Sequence, residues 1–358
     1  MRTLLFQPGP RCMKSMKLLK PLIFSLICLV GLQAPVDSYG AESRQKQSSG
    51  RTTKAKATKA KATKASKAKP VKVRRVQAVK PLRQRKMAQA VAASQAPNAA
   101  HLAALRSSAV VIIDPKTQDV LYQKNQNTVM PIASLTKLMT ALVVLDANQS
   151  MSQQLTVTSA DVDRLKYSTS RLQVGTTLSR TSMLHLALMS SENRAASALG
   201  RNYPGGTRAF VAAMNRKARA LGMRNTLYVE PTGLSSANVS TPSDLAKLVI
   251  AAEKSALIRR YSTDHQFSIR QGRSTSVYHN TNRLTASSNW RIRLQKTGYI
   301  SEAGRCMVLY TMVNNRPTVM VFLNSQGKYS HAADANRARS WLAGYRGAKV
   351  QRAVKRRQ

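Results

Sequence analysis

The stretch Ser134-Leu135-Thr136-Lys137-Leu138-Met139-Thr140-Ala141-Leu142-Val143-Val144-Leu145 carries apolar residues at 135, 138, 139, 142 and 145, close to helical spacing. Pro131 lies just upstream, and Ser134 stands in a natural helix N-terminal position. The spacing predicts a buried helix that starts at Ser134 or a residue or two before it. On its N-terminal side, Ser108–Asp114 and Asp119–Gln123 are short β-type runs joined by Pro115-Lys116-Thr117-Gln118, an antiparallel hairpin. On its C-terminal side, 182–198 is helix-forming with a polar interruption at Ser190-Ser191-Glu192-Asn193, and 206–221 reads as another helix. A further helix starts at Pro242-Ser243-Asp244 and runs towards Lys254. Strands are expected at 265–269 and 276–279, and strand character dominates 291–324, with a turn at Asn314-Asn315-Arg316; a last helix spans 331–343. Strands at both ends with helices between them imply an α+β fold. The N-terminal hairpin pairs with the C-terminal strands in one antiparallel sheet, helices cover its faces, and a helical subdomain fills the middle.

The two ends of the chain have another character. The 358 residues hold 58 Lys+Arg against 14 Asp+Glu, a formal net charge of +44. Lys14, Lys17 and Lys20 precede the apolar run 21–32, and the small residues Ala34, Gly40 and Ala41 follow, the pattern of a secretory signal peptide over 1–41, with Met13 and Met16 as alternative starts. The run is short for a membrane span of about 20 residues. Residues 42–104 form a Lys/Ala/Thr-rich tail, with 17 basic residues against the single acid Glu42 up to Ala100 and no aromatic side chain, so chain entropy predicts disorder. A catalytic domain is expected over 105–345, and a short basic C-terminal tail over 346–358. Such a charge fits non-specific contact with phosphates, but no zinc-finger, helix-turn-helix or aromatic RNA-binding signature accompanies it, which argues against a specific nucleic-acid partner. In an exported, periplasmic protein the tail would meet anionic envelope polymers or lipid headgroups. Two of the three cysteines, Cys12 and Cys28, lie in the leader, which leaves Cys306 without an intramolecular partner.

Three short patterns carry the chemistry. Ser-x-x-Lys begins at Ser43, Ser66, Ser134 and Ser325, Ser-x-Asn at Ser191, Ser236 and Ser287, and Lys-Thr-Gly occurs once, at Lys296-Thr297-Gly298. Order and context select among the copies. Only Ser134 opens an apolar helix, only Ser191 interrupts a helical region, and Lys296-Thr297-Gly298 ends a strand-like run before a hairpin. At i and i+3 on one helix face, Lys137 can take the proton of Ser134 and make it a nucleophile, provided the amine is neutral; burial and the charge of Lys296 would both favour that. Acyl transfer also needs an oxyanion hole, expected from the backbone N–H groups of Ser134 and Tyr299, each donor contributing about 3 to 4 kcal/mol to transition-state stabilisation. Gly298 lets a substrate backbone lie close, Lys296 and Thr297 suit a carboxylate, Ser191 can relay a proton to the leaving amine, and Asn193 can hold the substrate amide and orient Lys137. No G-x-S-x-G elbow competes, and the five His show no metal spacing, so neither a metal nor a cofactor is expected.

These elements, in this order, resemble the penicillin-binding protein and serine β-lactamase superfamily. The stretches 131–140, 189–198, Val229-Glu230-Pro231-Thr232-Gly233-Leu234 and Lys296-Thr297-Gly298-Tyr299 are similar to low-molecular-mass D-alanyl-D-alanine endopeptidases. The resemblance covers about residues 105–345. It implies a transpeptidase/β-lactamase-like fold, cleavage of cross-links between peptidoglycan stem peptides, and β-lactams as covalent inhibitors at Ser134. The related carboxypeptidases carry a second β-rich domain and a C-terminal amphipathic helix, for which the residues after 345 leave no room; this favours the endopeptidase branch over a DD-carboxypeptidase. A β-lactamase, in which Glu230 would supply the hydrolytic carboxylate, and a non-catalytic envelope-binding protein are the remaining alternatives.

Overall fold

The computed structural model describes residues 100–344; the expected leader, nearly all of the basic tail and the C-terminal tail lie outside the described residues. A turn of helix, α1 (Ala100–Ala103), leads into the hairpin β1 (Ser107–Ile113) and β2 (Val120–Lys124). After the two-residue strand β3 (Met130–Pro131), one 3₁₀ turn over Ala133–Leu135 runs into α2 (Thr136–Asp146). Next come β4 (Gln154–Thr156), β5 (Thr177–Ser179), α3 (Arg180–Met189), α4 (Asn193–Arg201), α5 (Gly206–Ala220), β6 (Val239–Ser240), α6 (Pro242–Glu253) and α7 (Ala256–Thr263). The hairpin β7 (Gln266–Gln271) and β8 (Ser274–His279) precedes the long strands β9 (Arg291–Ile300), β10 (Gly304–Val313) and β11 (Arg316–Ser325), and α8 (Ser330–Gly344) ends the described chain.

The main sheet has the order β2-β1-β11-β10-β9, and every adjacent pair is antiparallel. The expected pairing of first hairpin with last strands is present: Ala109 faces Leu323 and Val111 faces Val321 across the β1–β11 seam. Because side chains alternate along a strand, each apolar run is sorted onto two faces. Val111, Val308, Val321 and Leu323 join one core with α2 to α6, whereas Val110, Ile112, Met307, Met320 and Phe322 join a second core under α8, with Ala335, Ala338 and Trp341. Both faces are covered, which is why Val110-Val111-Ile112-Ile113 reads as continuous apolar sequence and not as alternation. Buried Asp334 on α8 accepts from the backbone N–H of Arg106 (3.0 Å) and Ser107 (2.8 Å) and from Ser107 Oγ (2.6 Å), and so ties that helix to the start of β1.

Helix α2 is the axis of the helical half. Residues Thr136 to Val144 are all buried, so its expected apolar stripe is an apolar surround, and only Leu145 of the periodic set is partly exposed. The expected helix over 182–198 is two helices, α3 and α4, broken where the Ser-x-Asn pattern falls. Composition gave no sign of α7, where Arg259, Arg260, Ser262 and Thr263 mask its few apolar positions. Among the described residues, no helix is long and apolar enough to cross a membrane.

Candidate active site

Ser134 sits in the 3₁₀ turn in front of α2, partly exposed between buried Ala133 and Leu135. Ala133 has φ +47°, a left-handed conformation that costs a non-glycine residue about 1 to 3 kcal/mol and persists only where the surroundings enforce it. The enforcement is visible on two sides. A Cβ at Gly233 (φ +84°) would lie 2.0 Å from the Ala133 carbonyl oxygen and 2.8 Å from the Ser134 nitrogen; one at Gly298 would lie 2.9 Å from that nitrogen and 3.0 Å from the Ala133 Cβ. Two stretches of bare backbone therefore press on the serine's own backbone, and only glycine fits at either place.

Lys137, one turn along, is fully buried. Its Nζ lies 2.8 Å from Ser134 Oγ, 2.8 Å from Asn193 Oδ1 and 2.6 Å from the Thr232 carbonyl oxygen. Two of these partners are carbonyl oxygens and can only accept. A neutral amine has two hydrogens and one lone pair; with the hydrogens given to Asn193 and Thr232, the lone pair is left for the Ser134 hydroxyl. Burial pushes the amine down to about 8, and the carboxylates of Glu230, Glu192 and Asp163 hold it from going lower. The expected effect of Lys296 on Lys137 acts in the other direction: Lys296, also fully buried, is held well below the ordinary lysine range, first by burial and then by the Lys137 charge.

The other expected residues converge on the same place, with differences in contact. Ser134, Ser191, Asn193, Thr297, Gly298 and Tyr299 line one cavity of about 550 Å³. Asn193, the first residue of α4, orients Lys137 through Oδ1, and its Nδ2 donates to Ser168 Oγ at 3.0 Å. Ser191 (φ +63°) lines the cavity but makes no hydrogen bond to either lysine. Lys296 donates to the Thr297 carbonyl at 2.9 Å, and Thr297 Oγ1 shares a 2.7 Å hydrogen bond with Thr281 Oγ1. Tyr299 is 59% exposed, with the Arg305 guanidinium 4.7 Å above its ring. Strand β9 runs on past Lys296-Thr297-Gly298 to Ile300, so the triplet lies within the strand and not at its end. As the outermost strand of the sheet, β9 has no strand beyond it; the Gln295 N–H is taken by Ser262 Oγ (3.4 Å), and past it the edge borders the cavity, where an extended peptide can lie.

Sequence reasoning missed three contributors. The Thr232 carbonyl, third partner of Lys137, is a backbone group and leaves no side-chain signal. Ser168, which fixes Asn193, sits in a loop drawn around the Asp163 carboxylate; that loop is joined to the β9–β10 turn by the Lys166–Glu302 ion pair. The cavity lining is also basic, with Arg283, Arg305 and Lys328 and no carboxylate. Cys306 lies opposite Gly298 across the β9–β10 ladder, and burial pushes its thiol up to about 12, which keeps it from reacting. Among the described residues, no three His, Cys, Asp or Glu side chains gather as a metal site.

The family profile described as peptidase S11, D-alanyl-D-alanine carboxypeptidase, matches residues 92–327, which include the whole of this constellation. The chain belongs to this peptidase family. Among S11 relatives, the chain is 48% identical to a D-alanyl-D-alanine endopeptidase of Pseudomonas aeruginosa over 240 residues, 66% of this chain and 77% of that one. It is 45% identical to a D-alanyl-D-alanine endopeptidase of Escherichia coli over 256 residues, 71% of this chain and 83% of that one. The crystal structure of the Streptomyces K15 DD-transpeptidase superposes with a TM-score of 0.61 at 28% identity, covering 66% of this chain and 97% of the other. The S11 fold accounts for the antiparallel sheet with helices on both faces, and S11 membership makes the chain a serine hydrolase of the cell-wall peptidases.

Proposed function

We propose that this protein is a serine D-alanyl-D-alanine endopeptidase that opens the peptide cross-links of peptidoglycan through an acyl-enzyme on Ser134. The observation that carries this reading is the 2.8 Å contact between Ser134 Oγ and a buried amine whose other two partners are acceptors only. In the first half-reaction neutral Lys137 takes the Ser134 proton as Oγ bonds to the D-alanyl carbonyl carbon. The backbone N–H groups of Ser134 and Tyr299 receive the oxyanion. Collapse breaks the C–N bond, and the proton leaves Lys137 for the departing amine by way of Ser191, which faces the cavity. In the second half water attacks the ester as Lys137 takes a proton from it, and Lys137 returns that proton to Ser134 Oγ as the ester bond breaks, leaving a new carboxylate on the donor peptide. Lys296 and Thr297 hold the carboxylate next to the scissile bond, and Gly298 admits the substrate backbone.

The endopeptidase activity has two supports beyond family membership. Both relatives described above bear that name. The basic lining of the cavity also suits a leaving group that is a whole stem peptide with carboxylates of its own, more than it needs for a single D-alanine. Digestion of purified cross-linked muropeptide dimers tests the reading by product mass. Monomers that keep their terminal D-alanine are the expected products; loss of alanine without separation of the dimer makes the protein a carboxypeptidase instead.

β-Lactams acylate Ser134 as mimics of the D-alanyl terminus. Glu230, the carboxylate that a β-lactamase reading needs, is engaged elsewhere: its two oxygens accept from Thr232 N (2.6 Å), Thr232 Oγ1 (2.5 Å), Gly233 N (2.6 Å), Ser235 N (3.4 Å) and Asn238 Nδ2 (2.9 Å). A carboxylate has about four lone-pair sites, so none is spare for a hydrolytic water. A chromogenic cephalosporin should therefore give a burst of one equivalent and almost no further turnover; sustained hydrolysis would restore the β-lactamase reading.

Signal-directed export to the periplasm, a part in cell shape and tethering by the 42–104 tail complete the proposal. The tail is read as an electrostatic anchor to anionic envelope polymers. Sacculus binding by the full chain should weaken as salt rises, and a chain starting near His101 should bind less. Equal binding at every salt concentration removes the anchor from the scheme.

A further inference from the structure

Glu230 lies outside the cavity lining, yet it is joined to the catalytic pair through a short chain of backbone groups. Its Oε2 takes the N–H and the hydroxyl of Thr232, and its Oε1 takes the N–H of Gly233. The Thr232 carbonyl accepts from Lys137 Nζ at 2.6 Å. The Gly233 backbone is packed on Ala133, directly behind the nucleophile. Three further hydrogen bonds clamp the same loop to the start of α2: Thr140 Oγ1 donates to the Pro231 carbonyl (2.6 Å), Asn238 Nδ2 to Thr136 Oγ1 (3.1 Å), and Ile132 N to the Asn238 carbonyl (3.1 Å). A carboxylate wound into its own turn by five donors fixes that turn far more tightly than the isolated Pro231-Thr232-Gly233 segment would be fixed by its dihedral preferences.

We infer that Glu230 is a positioning residue for acylation: its carboxylate sets the Thr232 carbonyl against the Lys137 amine and the Gly233 backbone behind Ser134, and it acts on the nucleophile only through them. The inference rests on the roles given above to Ser134 and Lys137. It assigns the Val229-Glu230-Pro231-Thr232-Gly233-Leu234 stretch a task that a surface turn would not have, since the loop supplies one of the two fixed acceptors that leave the amine's lone pair to the serine. The charged groups acting on Lys137 are Glu230, Glu192 and Asp163, which favour its protonated form; the neighbouring Lys296 is instead acted on by the Lys137 charge, which holds it down. Glu230 therefore has a geometric effect and an electrostatic one, and two substitutions separate them.

Glu230→Asp keeps the charge but shortens the arm; Glu230→Gln keeps the length but removes the charge and presents N–H where donors already point. The experiment measures the second-order rate of labelling by fluorescent penicillin from pH 6 to 10 on the full chain, with a thermal melt of each protein to give its folded fraction. For E230D the plateau rate should fall about 10- to 100-fold, the loss that follows a displacement of about 1 Å at a reacting group, while the acid limb stays in place. For E230Q the plateau should fall as well, and the acid limb should move to lower pH, because a negative charge that favours protonated Lys137 is gone. Variants that melt at lower temperature but label at the wild-type rate, with the wild-type pH profile, overturn the inference and leave Glu230 a purely structural residue. A wild-type protein that takes no label removes the roles of Ser134 and Lys137, and this inference with them.

Discussion

Protein in which Ser134 is replaced by alanine should take up no fluorescent penicillin and should cleave muropeptide dimers roughly 10⁴- to 10⁶-fold more slowly than wild type. The size of the effect follows from the covalent scheme, since without Oγ no ester forms and what remains is the activity of an oriented cleft acting on water. The variant should nevertheless fold. Ser134 lies in a 3₁₀ turn whose conformation is imposed by Ala133, Gly233 and Gly298, not by its own side chain, which makes one hydrogen bond, to Lys137. A melting temperature within a few degrees of wild type is therefore expected alongside the lost activity. The two readings together separate a missing nucleophile from a missing fold. Label retained by Ser134→Ala, or a mass-mapped adduct on any other residue, would sink the assignment.

The second large effect concerns the base. Lys137→Arg should lower the acylation rate by roughly 10²- to 10⁴-fold, because a guanidinium stays protonated at any working pH and cannot take the Ser134 proton. In the wild type, only the neutral amine is competent. Since burial brings that group down to about 8, the acylation rate should rise with pH through a midpoint near 8 and level off above it. Roughly a tenth of the protein then carries a neutral base at pH 7. The sign is set by the direction of the shift: a lysine at its ordinary value would keep the rate climbing beyond pH 10, and a histidine base would give a midpoint near 6.5. A profile flat from pH 6 to 9 would show that Lys137 is not the group that titrates.

Much of this is legible in the sequence alone. The helix behind Ser134 declared itself by its period, and the seam between the first hairpin and the last strands followed from the placing of apolar runs at the two ends of the chain. Seven of the eight candidate residues can be named because each is a side chain, or a glycine, whose chemistry is visible in its letter; Tyr299 is named only for the backbone N–H that its place after Gly298 implies. What escaped was the set of contacts made by main-chain atoms. The Thr232 carbonyl that completes the surroundings of Lys137 would be the same oxygen in any residue, so no letter marks it. Glu230 was visible as a carboxylate, but its five donors are mostly N–H groups of its own loop, and only the fold reveals that they leave it nothing to offer a water. The lysine pair escaped in a third way. Both amines were identified and their proximity expected, but which of them bears the repulsion depends on the carboxylates around Lys137, which come from three separate loops.

The outermost place of β9 bears on what such a protein can discriminate. Past Gln295, a strand with no neighbour on one side offers a peptide the same spaced donors and acceptors whatever side chains that peptide carries, and Gly298 adds none of its own to obstruct it. Selection then falls on chirality and on charge at the two ends of the occupied track, while the identity of residues along it is largely ignored.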